Sequence, residues 1–334
     1  MKKAIFVCDQ AKKLSEVYPE SVLSTLRQMT DLDETVYSKA EILRQPEAAR
    51  EVSFLFSTWG MPSFSEEEIR TCFPSLECVF YAAGTVQKFA RPFLSSGVKV
   101  FSAWAANGVP VAEYTVAQIV LANKGFFQHT RLMQKECTKE AKARTKLYPG
   151  NYDECVGLIG CGMIGSMVAE RLKDYRLRVL VYDPFLSPEK AERLNVTPTS
   201  LEEIFRTCRV VSNHLANNEA TQGILKYAHF SAMLPYATFL NTGRGAQVVE
   251  DDLVRALRER PDLTAVLDVT FPEPPVFGHP FYSLENCFLT PHIAGSLGNE
   301  VVRMAEYMCE EAGRYIGGEP CRYEVSEKML ETMA

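Results

Sequence analysis

Residues 155–183 read CVGLIGCGMIGSMVAERLKDYRLRVLVYD, and no other stretch limits the folds open to the chain so strongly. An apolar run at 156–159 leads into Gly160, Gly162 and Gly165. Ile164, Val168 and Leu172 then recur at helical spacing, and a second apolar run at 179–182 ends on Asp183. Strand, glycine turn, helix, strand and acid in one unit predict a βαβ fold with a dinucleotide site at the turn. Gly160 is expected to make the tight turn, Gly162 to admit a pyrophosphate close to the backbone, and Gly165 to let the helix pack on the strand. The helix N-terminus offers unpaired N–H groups and partial positive charge to phosphates. Asp183 stands where it can accept hydrogen bonds from ribose hydroxyls. The competing reading of the glycines alone is an ordinary turn in an α/β domain.

A chain of 334 residues suggests two domains. With 46% hydrophobic and 23% charged residues it can form a sizeable core. A net charge of -6 argues against a nucleic-acid partner, which calls for a basic face. The ten cysteines are dispersed and form no CxxC pair, the usage of reduced thiols in a cytoplasmic protein. The opening MKKAIFVCDQAKK has too short an apolar run for a signal segment and fits a first strand. No stretch approaches the roughly 18 apolar residues of a membrane span. No membrane association and no metal are expected.

Before residue 105, apolar runs at 4–7, 52–56, 78–81 and 99–101 predict buried strands, with helices at 21–29 and 65–73 between them. Ser65 and Glu68 have the spacing of a capping box. Repeated βα units imply a parallel sheet, and this part carries no phosphate loop. Asn107, Gly108 and Pro110 read as a break at the entry to a long apolar helix over 107–125. Residues 128–150 are polar and are expected to wrap the surface or meet a second subunit. Beyond the glycine unit the rhythm continues, with a helix at 201–207 and strands at 210–213 and 237–241. An amphipathic helix at 249–260, strands at 263–269 and 287–290, and a helix over 297–316 follow. Ligands of parallel sheets bind beyond the carboxyl ends of the strands. By that rule the functional candidates are 160–164, Asp183, His214, Arg244, 268–273 and His292.

Together, VGLIGCGMIG in the glycine unit, NTGRG (241–245), LDVTFPEPP (267–275), LTPHIAGS (289–296) and VPVAEYTVAQ (109–118) resemble the D-isomer-specific 2-hydroxyacid dehydrogenases. That family includes glycerate, phosphoglycerate and D-lactate dehydrogenases. The resemblance runs from about residue 80 to the C-terminus, and no regulatory domain is expected. It implies an α/β protein of two doubly wound parallel-sheet domains with an interdomain cleft. A Rossmann NAD-binding domain would span 109–297, and a discontinuous, flavodoxin-like substrate domain would comprise 1–108 and 298–334. It further implies hinges near 107–108 and 296–298, and a homodimer joined through the cofactor domains and the 109–125 helix. The implied activity is NAD-dependent interconversion of a D-2-hydroxy acid and its 2-keto acid.

The chemistry can be argued beside the resemblance. A 2-keto acid needs a cation for its carboxylate, and arginine supplies a bidentate fork. Its carbonyl oxygen needs a proton donor that works near neutral pH, which suits histidine. That histidine needs an orienting partner, for which a carboxylate serves. The resemblance places these groups at Arg244, Glu273 and His292. Each has a plainer reading: Arg244 could cap carbonyls in its tight loop, Glu273 could be a solvated loop acid, and His292 a structural histidine. His279 is the nearest rival by composition. Backbone N–H groups around Ala83 and Gly84 are expected to help hold the substrate carboxylate.

By resemblance the further cofactor contacts are Met163, Ile164, Pro184, His214, Leu215, Ala216, Thr221, Asn241, Thr242, Gly243, Asp268 and His292, with Asp268 expected to meet the nicotinamide carboxamide. Asp183 with no adjacent arginine implies NAD rather than NADP. The chain departs from the family pattern at Ala216, where a proline is usual, and at residues 83–87, which read AGTVQ. Trp59 and Trp104 could line a substrate pocket or belong to the core. Two other classes stay open: an NAD(H)-sensing binding protein of the same fold, as in certain corepressors, and a formate- or phosphite-oxidising dehydrogenase.

Overall fold

The strands of the chain's first third are short and apolar, and they lie where helices can cover both faces. They are β1 (Lys2–Val7), β2 (Thr30–Tyr37), β3 (Phe54–Ser57), β4 (Cys78–Tyr81) and β5 (Lys99–Ser102). A second set follows: β6 (Tyr152–Ile159), β7 (Arg176–Tyr182), β8 (Thr197–Pro198), β9 (Val210–Asn213), β10 (Thr238–Asn241), β11 (Thr264–Leu267) and β12 (Cys287–Leu289). Near the C-terminus the two-residue β13 (Glu324–Val325) joins the first set. This computed structural model describes residues 1–331, so the last three residues of the segment 298–334 lie outside the described residues.

The chain divides into two units, Met1–Gly108 with Ser296–Ala334, and Val109–Gly295. In the first, the strand order is β13-β5-β4-β3-β1-β2, parallel except for the antiparallel β13. Its central strands are buried at every position in β3 and β4, as a sheet covered on both faces requires. Phe56, Phe80 and Phe101 stack face to face across β3, β4 and β5 at 5.1 and 5.0 Å. In the second unit the order is β12-β11-β10-β9-β6-β7-β8, with every pairing parallel. Both sheets are doubly wound, as the resemblance implied. In the second, the order reverses between β6 and β9, so the glycine turn after β6 opens at the switch point where such sheets bind ligands.

Two local expectations need correction. The edge strand β2 and the helix Ala11–Val17 were not anticipated. β2 reads TDLDETVY and is largely exposed, and an edge strand carries charge to discourage further pairing, which erases the apolar signal. The expected break at 107–110 is also absent. The helix runs unbroken over Trp104–Asn123 with Pro110 inside it. Its first turn is already closed by the Asn107 N–H on the Ala103 carbonyl (3.1 Å), while the Asn107 side chain accepts from the Ser296 N–H (3.1 Å). Asn107 therefore ties the outgoing and returning segments of its unit together instead of opening a helix.

Candidate active site

The glycine turn is shaped by what surrounds it. Gly160 adopts φ +92, and a Cβ there would stand 2.8 Å from the His214 carbonyl group; a Cβ on Gly165 would come within 2.1 Å of the Gly160 oxygen. Around Gly162, by contrast, a Cβ would meet nothing within 4 Å. That open space lies at the start of the helix Met163–Leu172, whose first N–H groups have no intrahelical acceptor. Met163 and Ile164 form its first turn. At the end of β7, Asp183 takes the Cys161 N–H on Oδ2 (2.6 Å) and the Phe185 N–H on Oδ1 (2.8 Å). Each oxygen keeps a further lone pair, and Pro184 beside it is exposed. An open helix N-terminus next to a half-buried carboxylate fits the pyrophosphate and ribose of a dinucleotide.

His214 follows β9 and packs under the turn. Its Nε2 lies 2.9 Å from Ser212 Oγ, its Nδ1 is buried without a partner among the described residues, and burial pulls its pKa down to about 4. The ring is therefore neutral at ordinary pH. Leu215 and Ala216 continue this loop, and the Thr221 hydroxyl donates back to the Ala216 carbonyl (2.6 Å).

Arg244 stands in the loop after β10. Its Nη1 donates to the Gly243 carbonyl (2.8 Å), and its other side-chain donors have no protein partner among the described residues. Burial pulls its pKa below the usual arginine value, while the negative charge of Glu273 opposes that shift. The carbonyl-capping reading thus accounts for one donor and leaves the rest of the fork available.

The third group sits beyond β12. His292 occupies the left-handed region at φ 55, a backbone state uncommon outside glycine though histidine adopts it more often than most. Asp268 holds it there. The Asp268 carbonyl accepts the His292 N–H (3.0 Å), and its carboxylate accepts the Thr290 hydroxyl (2.6 Å) and the N–H groups of Ile293 (2.8 Å) and Ala294 (2.9 Å). Tyr114 of the long helix extends the chain, its hydroxyl 3.2 Å from that of Thr290. The turn presents the imidazole outward, with Nδ1 2.7 Å from Glu273 Oε1. Arg244, Glu273 and His292 are thereby gathered at one end of the sheet. His279 is not with them: its Nδ1 accepts the Phe281 N–H, and its Nε2 lies 3.6 Å from Glu250.

Several expected cofactor residues turn inward instead. Asp268 is 3% exposed, and both of its oxygens accept hydrogen bonds within the His292 turn, which its carboxylate organises. Asn241 is buried in a side-chain amide network, and the Thr242 hydroxyl meets that of Thr115 at 3.2 Å. The network also contains Asn213 and Gln247, which sequence reasoning passed over. The available signal was slight: an amide interrupting an apolar run.

In the other unit, the Thr58 hydroxyl donates to the Ala82 carbonyl, and the Ser102 hydroxyl contacts the Ala83 and Gly84 carbonyls. The Ala83 N–H, expected to be available, donates to the Tyr81 carbonyl (2.9 Å), whereas the Gly84 and Thr85 N–H groups face no protein acceptor among the described residues. Trp59 and Trp104 both pack against this unit's core, Trp104 edge-on to Tyr323.

Comparison with known proteins places the chain among relatives of one family. Residues 116–294 match the family model described as "D-isomer specific 2-hydroxyacid dehydrogenase, NAD binding domain". The chain is 30% identical over 237 residues to a D-3-phosphoglycerate dehydrogenase of Archaeoglobus fulgidus, covering 70% of this chain and 44% of that protein. It is 33% identical over 163 residues to a glyoxylate reductase of Aeropyrum pernix, covering 49% of each. The chain thus spans about half the length, or less, of these curated relatives. A solved phosphoglycerate oxidoreductase from Rhizobium etli superposes with a TM-score of 0.82 over 99% of this chain and 100% of that one; at 19% identity it speaks to the fold.

Proposed function

The chain belongs to the D-isomer specific 2-hydroxyacid dehydrogenase family, and from that premise we propose that it is an NAD-dependent oxidoreductase interconverting a D-2-hydroxy acid and its 2-keto acid. The observation that carries this reading is the His292–Glu273 contact at 2.7 Å beside an arginine with free donors. The open helix N-terminus at Gly162, Met163 and Ile164, with Asp183 alongside, would hold NAD, which supplies the hydride chemistry when bound.

The protein's own groups divide the remaining work. Arg244 anchors the substrate carboxylate through its unengaged donors, and the half-buried setting strengthens that attraction. The free N–H groups of Gly84 and Thr85 are donors of the same kind. Glu273 accepts from His292 Nδ1, which orients the ring. Nε2 is left to give a proton to the carbonyl oxygen of a keto acid, or to take it back from the hydroxyl. A carboxylate at the ribose edge repels a 2′-phosphate, so NAD is preferred over NADP. We further propose that the protein is a homodimer; Phe126, Met133 and Leu147 leave apolar surface exposed just beyond the long helix.

The test is NADH consumption across 2-keto acids from glyoxylate and hydroxypyruvate to pyruvate and branched or aromatic members, with His292→Ala as control. Turnover that the control loses supports the reading. Intact NADH binding with no turnover of any member would overturn it in favour of a cofactor-sensing protein.

A further inference from the structure

The side chain of Gln247 is fully buried, and three of its four hydrogen bonds go to the backbone of two loops that the proposed reaction uses. Its Oε1 accepts from the Arg244 N–H (3.2 Å) and from Asn213 Nδ2 (2.5 Å). Its Nε2 donates to the carbonyls of Leu215 (2.7 Å) and Ala216 (3.0 Å). The amide orientation is unambiguous, because a backbone N–H can only donate and the two carbonyls can only accept. Asn213 completes the set. Its second N–H goes to Asn241 Oδ1 (3.0 Å), which also accepts the Gly243 N–H (3.1 Å), while Asn241 Nδ2 donates to the Arg244 carbonyl (3.1 Å). The Arg244 backbone is therefore held on both sides by buried amides, and one of those amides also grips the 215–216 segment.

From this geometry we infer that Gln247 is a positioning residue that links the arginine anchor to the 214–216 loop, so that substrate and cofactor sites share one buried support. It touches neither ligand. The claim rests on the proposed roles of Arg244 and of the 214–216 loop. A buried network with every member satisfied holds one geometry firmly, whereas one lost partner leaves unpaired groups that pull the loops elsewhere. A displacement on the order of 1 Å at such a site costs up to about 100-fold in rate.

Two substitutions separate positioning from general stability. Gln247→Met keeps the length and removes every hydrogen bond; it should raise both the NADH dissociation constant, read by fluorescence, and the keto-acid KM by about tenfold or more. Gln247→Glu keeps the acceptor for Arg244 and Asn213 but sets a second oxygen against the Leu215 and Ala216 carbonyls. At neutral pH it should weaken NADH binding while leaving the keto-acid KM at saturating NADH near that of the parent. Acidification should restore its NADH affinity, because the protonated carboxyl donates where the amide did; the parent should show no such recovery. If Gln247→Met does not fold, the glutamate variant alone decides. Folded variants with parental NADH affinity and KM, or a glutamate variant whose NADH affinity ignores pH, would overturn the positioning role. A parent that binds NADH but turns over no keto acid would instead count against the proposed reaction.

Discussion

His292 and Glu273 meet at 2.7 Å, Nδ1 to Oε1, although they lie on separate loops after different strands. Both remain close to half exposed, with side-chain exposures of 46% and 41%, so the pair is reachable by a ligand. Replacing Glu273 with Gln keeps an acceptor for Nδ1 but removes the negative charge beside the ring. The expected result is a fall in kcat for keto-acid reduction of about 10- to 100-fold with NADH affinity unchanged, measured by steady-state kinetics and fluorescence titration. An unaltered kcat would remove Glu273 from the role assigned to it.

Arg244→Lys retains a positive charge but gives up the planar fork. A charge-assisted hydrogen bond contributes about 1.5–3 kcal/mol, so the keto-acid KM should rise by about 10- to 100-fold while NADH binding holds. A KM within twofold of the parent would mean that another cation anchors the carboxylate.

Asp268→Asn tests the support of the His292 turn. An asparagine amide cannot accept from Thr290, Ile293 and Ala294 together, and its NH2 would oppose one of their donors. Leaving a buried donor unpaired costs about 1–3 kcal/mol. The variant should melt several degrees lower and lose kcat in larger proportion than NADH affinity. Equal losses in both would assign Asp268 to cofactor binding instead.

Gly165→Ala should weaken NADH binding by about 10- to 100-fold. The added Cβ would stand 2.1 Å from the Gly160 oxygen, so either the turn or the helix must shift, at a cost of about 1–3 kcal/mol in overpacking strain. Calorimetric titration with NADH checks this, and parental affinity would contradict the geometry.

Acid stability carries a signature of His214. Its folded-state pKa of about 4 lies below the ordinary 6.5 because the ring is buried. Between those values the unfolded chain binds a proton that the folded protein refuses. Stability from this group is therefore complete above about pH 6.5 and is lost as pH falls toward about 4, by up to about 3 kcal/mol. Urea unfolding of His214→Gln across that window should give a flatter pH dependence than the parent; parallel curves would place the ring in solvent.

How much was legible in the sequence depends on the range of the interaction involved. The turn at Gly160, the strand–helix rhythm around it and Asp183 at the end of the next strand could be read from local pattern, because tight turns and apolar runs are set by neighbours in the chain. The edge strand β2 could not be read, since exposure rewards charge there, and the unbroken start of the Trp104–Asn123 helix was hidden because Asn107 is engaged by Ser296, far along the chain. The sequence by itself determined the two sheet-forming halves and the order of their chemical groups. Only the tertiary structure decided which polar side chains stay open and which are satisfied within the protein. Asp268 turns inward to three donors, Gln247 spans two loops, and Arg244 keeps most of its fork free. Residue type cannot encode that choice, because whether an amide or carboxylate is satisfied inside the protein depends on groups brought together only when distant strands pair.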